Sequence, residues 1–527
     1  MSVIYMKILE LIPEHYDRGI KKFAATDFEA VRDDIAAAFR AGDRVLDVGC
    51  GPGTLTLLMA SQGVRAVGWD RNADMVTFAR GKAAELELGD GATFEVRDAP
   101  TAPLTAGVYD GVVMSLSLSE MRGAEQSATL EAAWQMLKAG GKLIIIDEVP
   151  PRRILPRAWY YFKRFWLKLV VYFVARAVTR PLRDLPEAVA ARGFTITGRK
   201  YFESDALLYL TATKDAERFP PAVPEVSAKP TFGDRLADVA AYLSLYMTFL
   251  RVEPGLYRVG APGSDAPLFV TANFTLTFNL VRRALRGLDA YLLVIDTRGI
   301  NVWCAAGGNK FSTREVALSW RAFRVAEAPH RRPAVLPQLA ATGVAKHVLG
   351  RDYGIAAEYG PVYARDIGSY VGGGYRKTRE MGRVDWGLAK RLEVTWFFAL
   401  MNAAAVALPL AFVHRLYSPL AVAAAAGISF AIGALFPWLP TRLYAVKGLV
   451  AGALVALPLL WYKWSAGAGA EGLARWGIYL AFAAILLGME FSGNTSVSSP
   501  SRVRQEFKPA LVILAALAVA FVVLIVL

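Results

Sequence analysis

The sequence predicts two α/β modules followed by an all-α, five-helix transmembrane domain. Three observations predict it. Strand-like runs alternate with helical patterns over residues 1–214 and again over 231–375, which is the mark of layered α/β units. Between them Phe219–Pro230 carries four prolines in twelve residues and no periodicity, so 215–230 reads as a semi-rigid linker. Five apolar runs of membrane-crossing length then close the chain. With 54% hydrophobic residues and a mean hydropathy of +0.33, this 527-residue chain is too apolar for a purely soluble protein. The net charge of +14 is not gathered into one stripe, which points to anchoring at a membrane and away from nucleic acid. The two cysteines, Cys50 and Cys304, fall in different modules. That implies a reducing compartment and is too few for an iron–sulfur cluster, so electrons must come from another protein.

In the first module, strands are predicted at Arg44–Val48, Ala66–Asp70, Thr93–Asp98, Gly111–Leu116, Lys142–Glu148, Phe194–Tyr201 and Ala206–Lys214. The first leads into Asp47-Val48-Gly49-Cys50-Gly51-Pro52-Gly53 and an apolar helix at Thr54–Ala60. Glycines there let backbone approach a ligand at a helix N-terminus. Asp70 ends the second strand, where an acid accepts from ribose hydroxyls, and Asp98 ends the third, where it can read an adenine edge. A nicotinamide-binding Rossmann fold shares a glycine turn plus an acid. The form Asp-Val-Gly-Cys-Gly-Pro-Gly, with Leu137-Lys-Ala-Gly-Gly-Lys-Leu143 and Arg192-Gly-Phe194, resembles class I S-adenosylmethionine-dependent methyltransferases. The resemblance implies a Rossmann-like methyltransferase domain with Asp47, Gly49 and Gly51 lining the methionine side, Asp70 the ribose and Asp98 the adenine. Cys50 reads as loop packing. Arg157–Val178 is aromatic and basic, as suits a membrane-interface helix or a lid over the site.

In the second module, Leu268–Ala272, Ala290–Asp296, Ala334–Leu339 and Ile355–Tyr359 read as strands, and Phe278–Arg286, Thr313–Val325 and Arg365–Val371 as helices. Cys304 lies in the crossover after Tyr291–Asp296, at the carboxyl end of a strand, where open α/β sheets place ligands. After it, Ser312-Thr-Arg-Glu315 forms a capping box. Helix amides around Cys304 are expected to push its thiol toward thiolate, the metal-binding form. Thr271, Thr313, Gln338 and Gly343 fall at strand ends or helix starts on the same sheet edge.

Asn301-Val302-Trp303-Cys304-Ala305-Ala306-Gly307 resembles the cap-helix motif of the mercury-methylating corrinoid proteins, relatives of the corrinoid iron–sulfur proteins. Val252-Glu-Pro-Gly-Leu-Tyr257, Val270-Thr-Ala-Asn273, Asp296-Thr-Arg-Gly-Ile-Asn301, Leu336-Pro-Gln-Leu339, Tyr359-Gly-Pro-Val362 and Ser492-Gly-Asn-Thr495 resemble family segments in family order. The resemblance implies a corrinoid of the cobalamin type, with Cys304 as lower axial ligand of cobalt. Asn301, Val302, Trp303, Ala305 and Ala306 would lie around that ligand, with Thr271, Thr313, Gln338 and Gly343 at the corrin ring. It further implies methyl transfer from cobalt to Hg(II) or another soft metal, and a ferredoxin-like 4Fe–4S protein as electron donor.

Residues 376–391 form a basic juxtamembrane collar with Arg376, Lys377, Arg379, Arg383, Lys390 and Arg391. The spans follow within 392–527: Leu392–Val413, Pro419–Leu439, Leu443–Trp461, Ala474–Phe491 and Leu511–Leu527. Positive charge is concentrated on the collar side, which places the soluble domains in the cytoplasm of a multi-pass inner-membrane protein. Two other readings share these features: a lipid or quinone methyltransferase with an accessory corrinoid domain, and a non-enzymatic corrinoid carrier or sensor.

Overall fold

The computed structural model describes residues 28–162, 164, 181–182, 184–202, 205–221, 223–242, 250–393, 395–396, 399, 418–493 and 500–526. The first module is built on β1 (Arg44–Val48), β2 (Arg65–Asp70), β3 (Ala92–Val96), β4 (Tyr109–Ser115), β5 (Leu137–Glu148), β6 (Phe194–Phe202) and β7 (Leu207–Lys214). Their spatial order is β3-β2-β1-β4-β5-β7-β6. β1 to β5 run parallel, and β7 is antiparallel to both β5 and β6. Because β1 is flanked by β2 and β4, the winding reverses there and opens a crevice at the strands' carboxyl ends. Neighbours in sequence feed opposite cores, as the two-residue strand period requires. Leu46, Met114 and Leu143 pack on one face of the sheet; Val45, Val113 and Ile144 pack on the other. Helices α1 (Thr54–Ser61), α2 (Ala73–Glu85) and α3 (Gly123–Met136) connect these strands.

The second module holds β8 (Gly255–Val259), β9 (Leu268–Ala272), β10 (Ala290–Ile295), β11 (Ala334–Leu336) and β12 (Ala357–Tyr359), ordered β12-β11-β9-β10-β8. β9 to β12 are parallel, while β8 pairs antiparallel to β10 at one edge. Sequence reading missed β8, because Gly255-Leu-Tyr-Arg-Val259 is short and opens on glycine, as an edge strand can. β9 and β10 are buried along their whole length, as parallel strands covered on both faces must be. The helices that matter to function are α4 (Thr275–Ala284), α5 (Val302–Gly307) and α6 (Thr313–Ala322). The proline-rich stretch is no free tether. Val226 N donates to Arg258 O and Arg258 N to Pro224 O, which lays it along β8.

The two modules meet where α3 packs on α6 through Ala128, Leu318 and Ala322. Ion pairs frame this contact: Arg122 Nη2 to Glu315 Oε1 at 2.6 Å, Arg314 Nη2 to Glu125 Oε1 at 2.9 Å, and Arg218 to the fully buried Glu131 at 2.7 Å. Glu125 is buried, which opposes its charge. Bonds from the Arg122 backbone and guanidinium, with Arg314 nearby, nevertheless hold it at about 2. The expected capping box is only half made. Ser312 Oγ accepts from Glu315 N at 3.4 Å, but the Glu315 side chain is drawn away to Arg122.

The membrane region contains α7 (Ser418–Leu435), α8 (Tyr444–Ser465), α9 (Ala470–Gly493) and α10 (Pro500–Val526). Among the described residues four helices are long and apolar enough to cross a membrane, against five predicted, since the span at Leu392–Val413 lies mostly outside them. α8 and α9 cross at near backbone contact. A Cβ on Gly488 would stand 2.5 Å from Tyr444 O and 2.8 Å from Gly448 Cα, so small residues set this crossing. Charges sit at helix ends. Arg391 of the collar donates to the carbonyls of Gly433 and Ala434 near the end of α7, and Glu506 accepts from Tyr444 N and Ala445 N at the start of α8.

Candidate functional site

Two sites emerge, one per module. At the first, Asp47 stands one residue before the end of β1 and is buried; its Oδ2 accepts from Thr56 Oγ1 at 2.7 Å, while Oδ1 has no partner among the described residues. The chain then turns through Gly49, Gly51 and Gly53, all at positive φ, into α1. A Cβ on Gly49 would stand 2.5 Å from that of Ser117, whose own buried hydroxyl is unpartnered. Asp70 at the end of β2 accepts from Gly51 N at 2.9 Å and Asn72 N at 2.8 Å, which fixes its carboxylate beside the glycine turn. Cys50 is buried and its sulfur abuts Gly68, so it packs the loop. Burial above all, with Asp47 and Asp70 nearby, pushes its thiol well up.

An orphaned carboxylate oxygen beside an orphaned hydroxyl is what the cationic, amine-bearing end of S-adenosylmethionine would satisfy, so the residues present fit that donor. Burial raises Asp47 to about 6, opposed by the Thr56 bond and aided by Asp70. A cationic ligand binds the ionised form. S-adenosylmethionine affinity is therefore expected to be about tenfold weaker at pH 5 than at pH 8. Isothermal titration across that range measures it.

Asp98 stands where expected, with a partner that was not. It follows β3 next to β2, with Arg97 N bonded to Asp70 O. Its Oδ2 also accepts from Arg314 Nε at 2.9 Å and Arg314 Nη2 at 2.8 Å, across the module boundary, and from Thr101 Oγ1 at 2.8 Å.

At the second site, Asn273 at the end of β9 organises the crossover. Its Oδ1 accepts from Thr297 N, Thr297 Oγ1 and Gly299 N, and its Nδ2 donates to Asp296 Oδ1 at 3.2 Å. Sequence reading quoted Asn273 only as part of a segment; a buried asparagine at a strand end was the available signal. The clamp delivers Asn301 as N-cap of α5, where its Oδ1 accepts from Cys304 N at 2.9 Å. Cys304 is thereby presented, exposed, on the wall of a cavity of about 410 Å³. Thr271, Asn301, Val302 and Trp303 also line it, with Trp386 and Lys390 of the juxtamembrane segment closing one side. The thiol is raised, not lowered as expected. Apolar surroundings desolvate it and the Asn301 side chain only softens this, while the cap already consumes the Cys304 amide.

Of the residues expected at the corrin ring, Thr271 lines the cavity with a buried hydroxyl that has no partner among the described residues. The others lie outside the wall. Ala305 and Ala306 lie on the buried face of α5. Thr313 is committed elsewhere, its hydroxyl accepting from Ala345 N and its amide donating to Gly343 O. Gln338 Oε1 accepts from Lys377 Nζ. Gly343 presses on the backbone that carries Cys304: a Cβ there would overlap Phe311 O and stand 2.8 Å from Ala306 O. Gly343→Ala is expected to cost about 1–3 kcal/mol through overpacking, read as a lowered melting temperature. The open cavity, the presented thiol and the orphaned Thr271 hydroxyl together fit an amide-rimmed macrocycle with a soft axial donor.

Comparison with known proteins follows this division. Residues 39–165 match a methyltransferase domain, and residues 246–371 match the CO dehydrogenase/acetyl-CoA synthase delta subunit. The demethylmenaquinone methyltransferase of Symbiobacterium thermophilum is 29% identical over 177 residues, covering 32% of this chain and 70% of that protein. The acetyl-CoA decarbonylase/synthase gamma subunit of Methanopyrus kandleri is 39% identical over 92 residues, and that of Archaeoglobus fulgidus 36% over 96. These cover 17% and 18% of this chain, which spans only 20% of either subunit. A solved S-adenosylmethionine-dependent methyltransferase from Methanosarcina mazei aligns with a TM-score of 0.29 at 22% identity, over 35% of this chain and 98% of its own. The chain is thus a methyltransferase with a Rossmann-like donor domain. That domain is joined to a second α/β domain, like those of corrinoid iron–sulfur proteins, and to a C-terminal helical region with candidate membrane spans.

Proposed function

We propose that this chain is a membrane-bound, corrinoid-dependent methyltransferase that delivers a methyl group to Hg(II) or another soft metal ion, with a fused domain that uses S-adenosylmethionine. The observation that carries the reading is Cys304, exposed on the wall of a cavity at the carboxyl edge of a parallel sheet. Asn273 and Asn301 fix the loop and helix that aim the thiol, and Thr271 offers a hydroxyl to the ring's amide rim. A corrinoid held there would supply a cobalt-borne methyl group, and Cys304 would hold it through a sulfur donor, the electron-rich ligand that an electrophilic acceptor such as Hg(II) calls for. The basic collar supports a cytoplasmic location for both soluble domains. With two cysteines in the chain, a ferredoxin-like 4Fe–4S protein is the proposed reductant. An anaerobic assay of Hg(II) methylation by corrinoid-reconstituted protein tests this, with S-adenosylmethionine and a methylated folate compared as donors. No methylmercury with either donor ends the proposal.

One observation favours a second reading. Ile154, Leu155, Trp159 and Phe162 are exposed just beyond the carboxyl end of β5, and Tyr160 Oη ties this segment to Glu148 at 2.7 Å. The rest of Arg157–Val178 lies mainly outside the described residues. An apolar surface beside the donor crevice suits a lipid or quinone acceptor. Cobalt-free protein that methylates a quinol in vesicles would favour it.

A further inference from the structure

α6 belongs to the second module, yet two of its arginines, one heptad apart, act on a single loop of the first. Arg321 Nη1 donates to Pro100 O at 2.8 Å, and its Nη2 to Ala102 O at 2.7 Å. Arg314 places Nε and Nη2 on Asp98 Oδ2. Among the described residues every bond to the Asp98 side chain falls on that one oxygen, Thr101 included, which leaves Oδ1 available at the end of β3 next to β2. Arg314 is itself fixed. Its Nη2 also reaches Glu125 Oε1 at 2.9 Å, and the start of α6 is tied by Thr313 to Gly343 and Ala345, whose loop packs under the Cys304 helix.

We infer that Arg314 is a positioning residue for the methyl donor, supplied by the second module: it holds the Asp98 carboxylate so that Oδ1 accepts from the 6-amino group of the adenine. The inference rests on the S-adenosylmethionine site proposed above. It makes the adenine subsite incomplete unless the two modules are docked, and linkage then requires that donor binding favour docking by the same factor. One guanidinium thus reports between the donor crevice and the helix–loop unit that carries Cys304.

The test is calorimetric titration of the full chain, in detergent, with S-adenosylhomocysteine and with S-inosylhomocysteine, in which an oxo group replaces the 6-amino donor. Arg314→Ala is expected to weaken S-adenosylhomocysteine about tenfold, the size of one charge-assisted hydrogen bond, and S-inosylhomocysteine less than about twofold. Arg314→Lys keeps the charge and the interface but loses the two-pronged grip, and it should show the same selectivity at reduced size. An unchanged affinity, an equal loss for both ligands in both variants, or tighter binding on removing Arg314 overturns the inference. Wild-type protein that binds neither ligand instead removes the donor site itself.

Discussion

Cys304→Ala is expected to leave the fold intact and to lower Hg(II) methylation more than about 100-fold, the upper range for losing even an outer-shell partner of a metal. The reasoning starts from exposure. Cys304 is the third residue of α5, its amide is capped by Asn301, and its side chain faces the cavity, away from the core. Truncating a side chain that packs nothing changes stability by only about 0.5 kcal/mol. Activity and stability therefore separate cleanly here, as they would not for Ala305 or Ala306 on the buried face of the same helix. The Cys304 sulfur is the soft donor the proposal needs in this wall, and neither the alanine variant nor Cys304→Ser can replace it. The X-ray absorption spectrum of the reconstituted protein should show a cobalt–sulfur path that both variants lose. A variant that keeps the wild-type spectrum and full methylation would falsify the ligand assignment.

How much was legible in the sequence depends on whether the signal was local. Asp47-Val-Gly-Cys-Gly-Pro-Gly53 foretold a strand, a turn and a helix because each glycine answers a local backbone demand, and all three odd-numbered glycines do adopt positive φ. The strand at Arg44–Val48 came out with its expected bounds. What the pattern hid was non-local. Asp98 looked like an adenine reader, but nothing within its own module hinted that Arg314 would reach it. Glu315 looked like the far half of a capping box and was drawn off by Arg122. Gly343 looked like a ring contact because it fell among strand ends and helix starts on one sheet edge; what the structure shows there is a close approach to Phe311 and Ala306. The thiol of Cys304 was expected to fall, from helix amides that lie nearby in sequence. The apolar wall that raises it comes from distant segments, Phe269, Val335 and Trp386 among them. Periodicity and caps report what a residue does to its own backbone, and these errors all concern what arrives from elsewhere.

Asp47→Asn is expected to make the protein more stable at pH 8 while abolishing its use of S-adenosylmethionine. Asp47 is fully enclosed, and burial lifts it from an ordinary 3.8 to about 6. The sign follows from proton counting. The folded chain holds this proton more tightly than the unfolded one, so the contribution is favourable below the unfolded value and is lost as pH rises through about 6. Above that, keeping Asp47 ionised costs the fold about 3 kcal/mol, a penalty an asparagine of the same shape does not carry. A residue that destabilises its own fold at working pH needs a ligand to justify it, and a cation beside Oδ1 is the chemistry that would. The variant should therefore melt at a higher temperature at pH 8, with no gain at pH 3, and bind S-adenosylhomocysteine at least about 100-fold more weakly, since the lost bond is both charged and buried. If methylation driven by S-adenosylmethionine survives the change, Asp47 is not needed to hold the donor; if only a methylated folate still supports it, the donor domain uses Asp47 but does not feed the cavity. If both melting and binding stay at wild-type values, Asp47 is not the anion the crevice is built around.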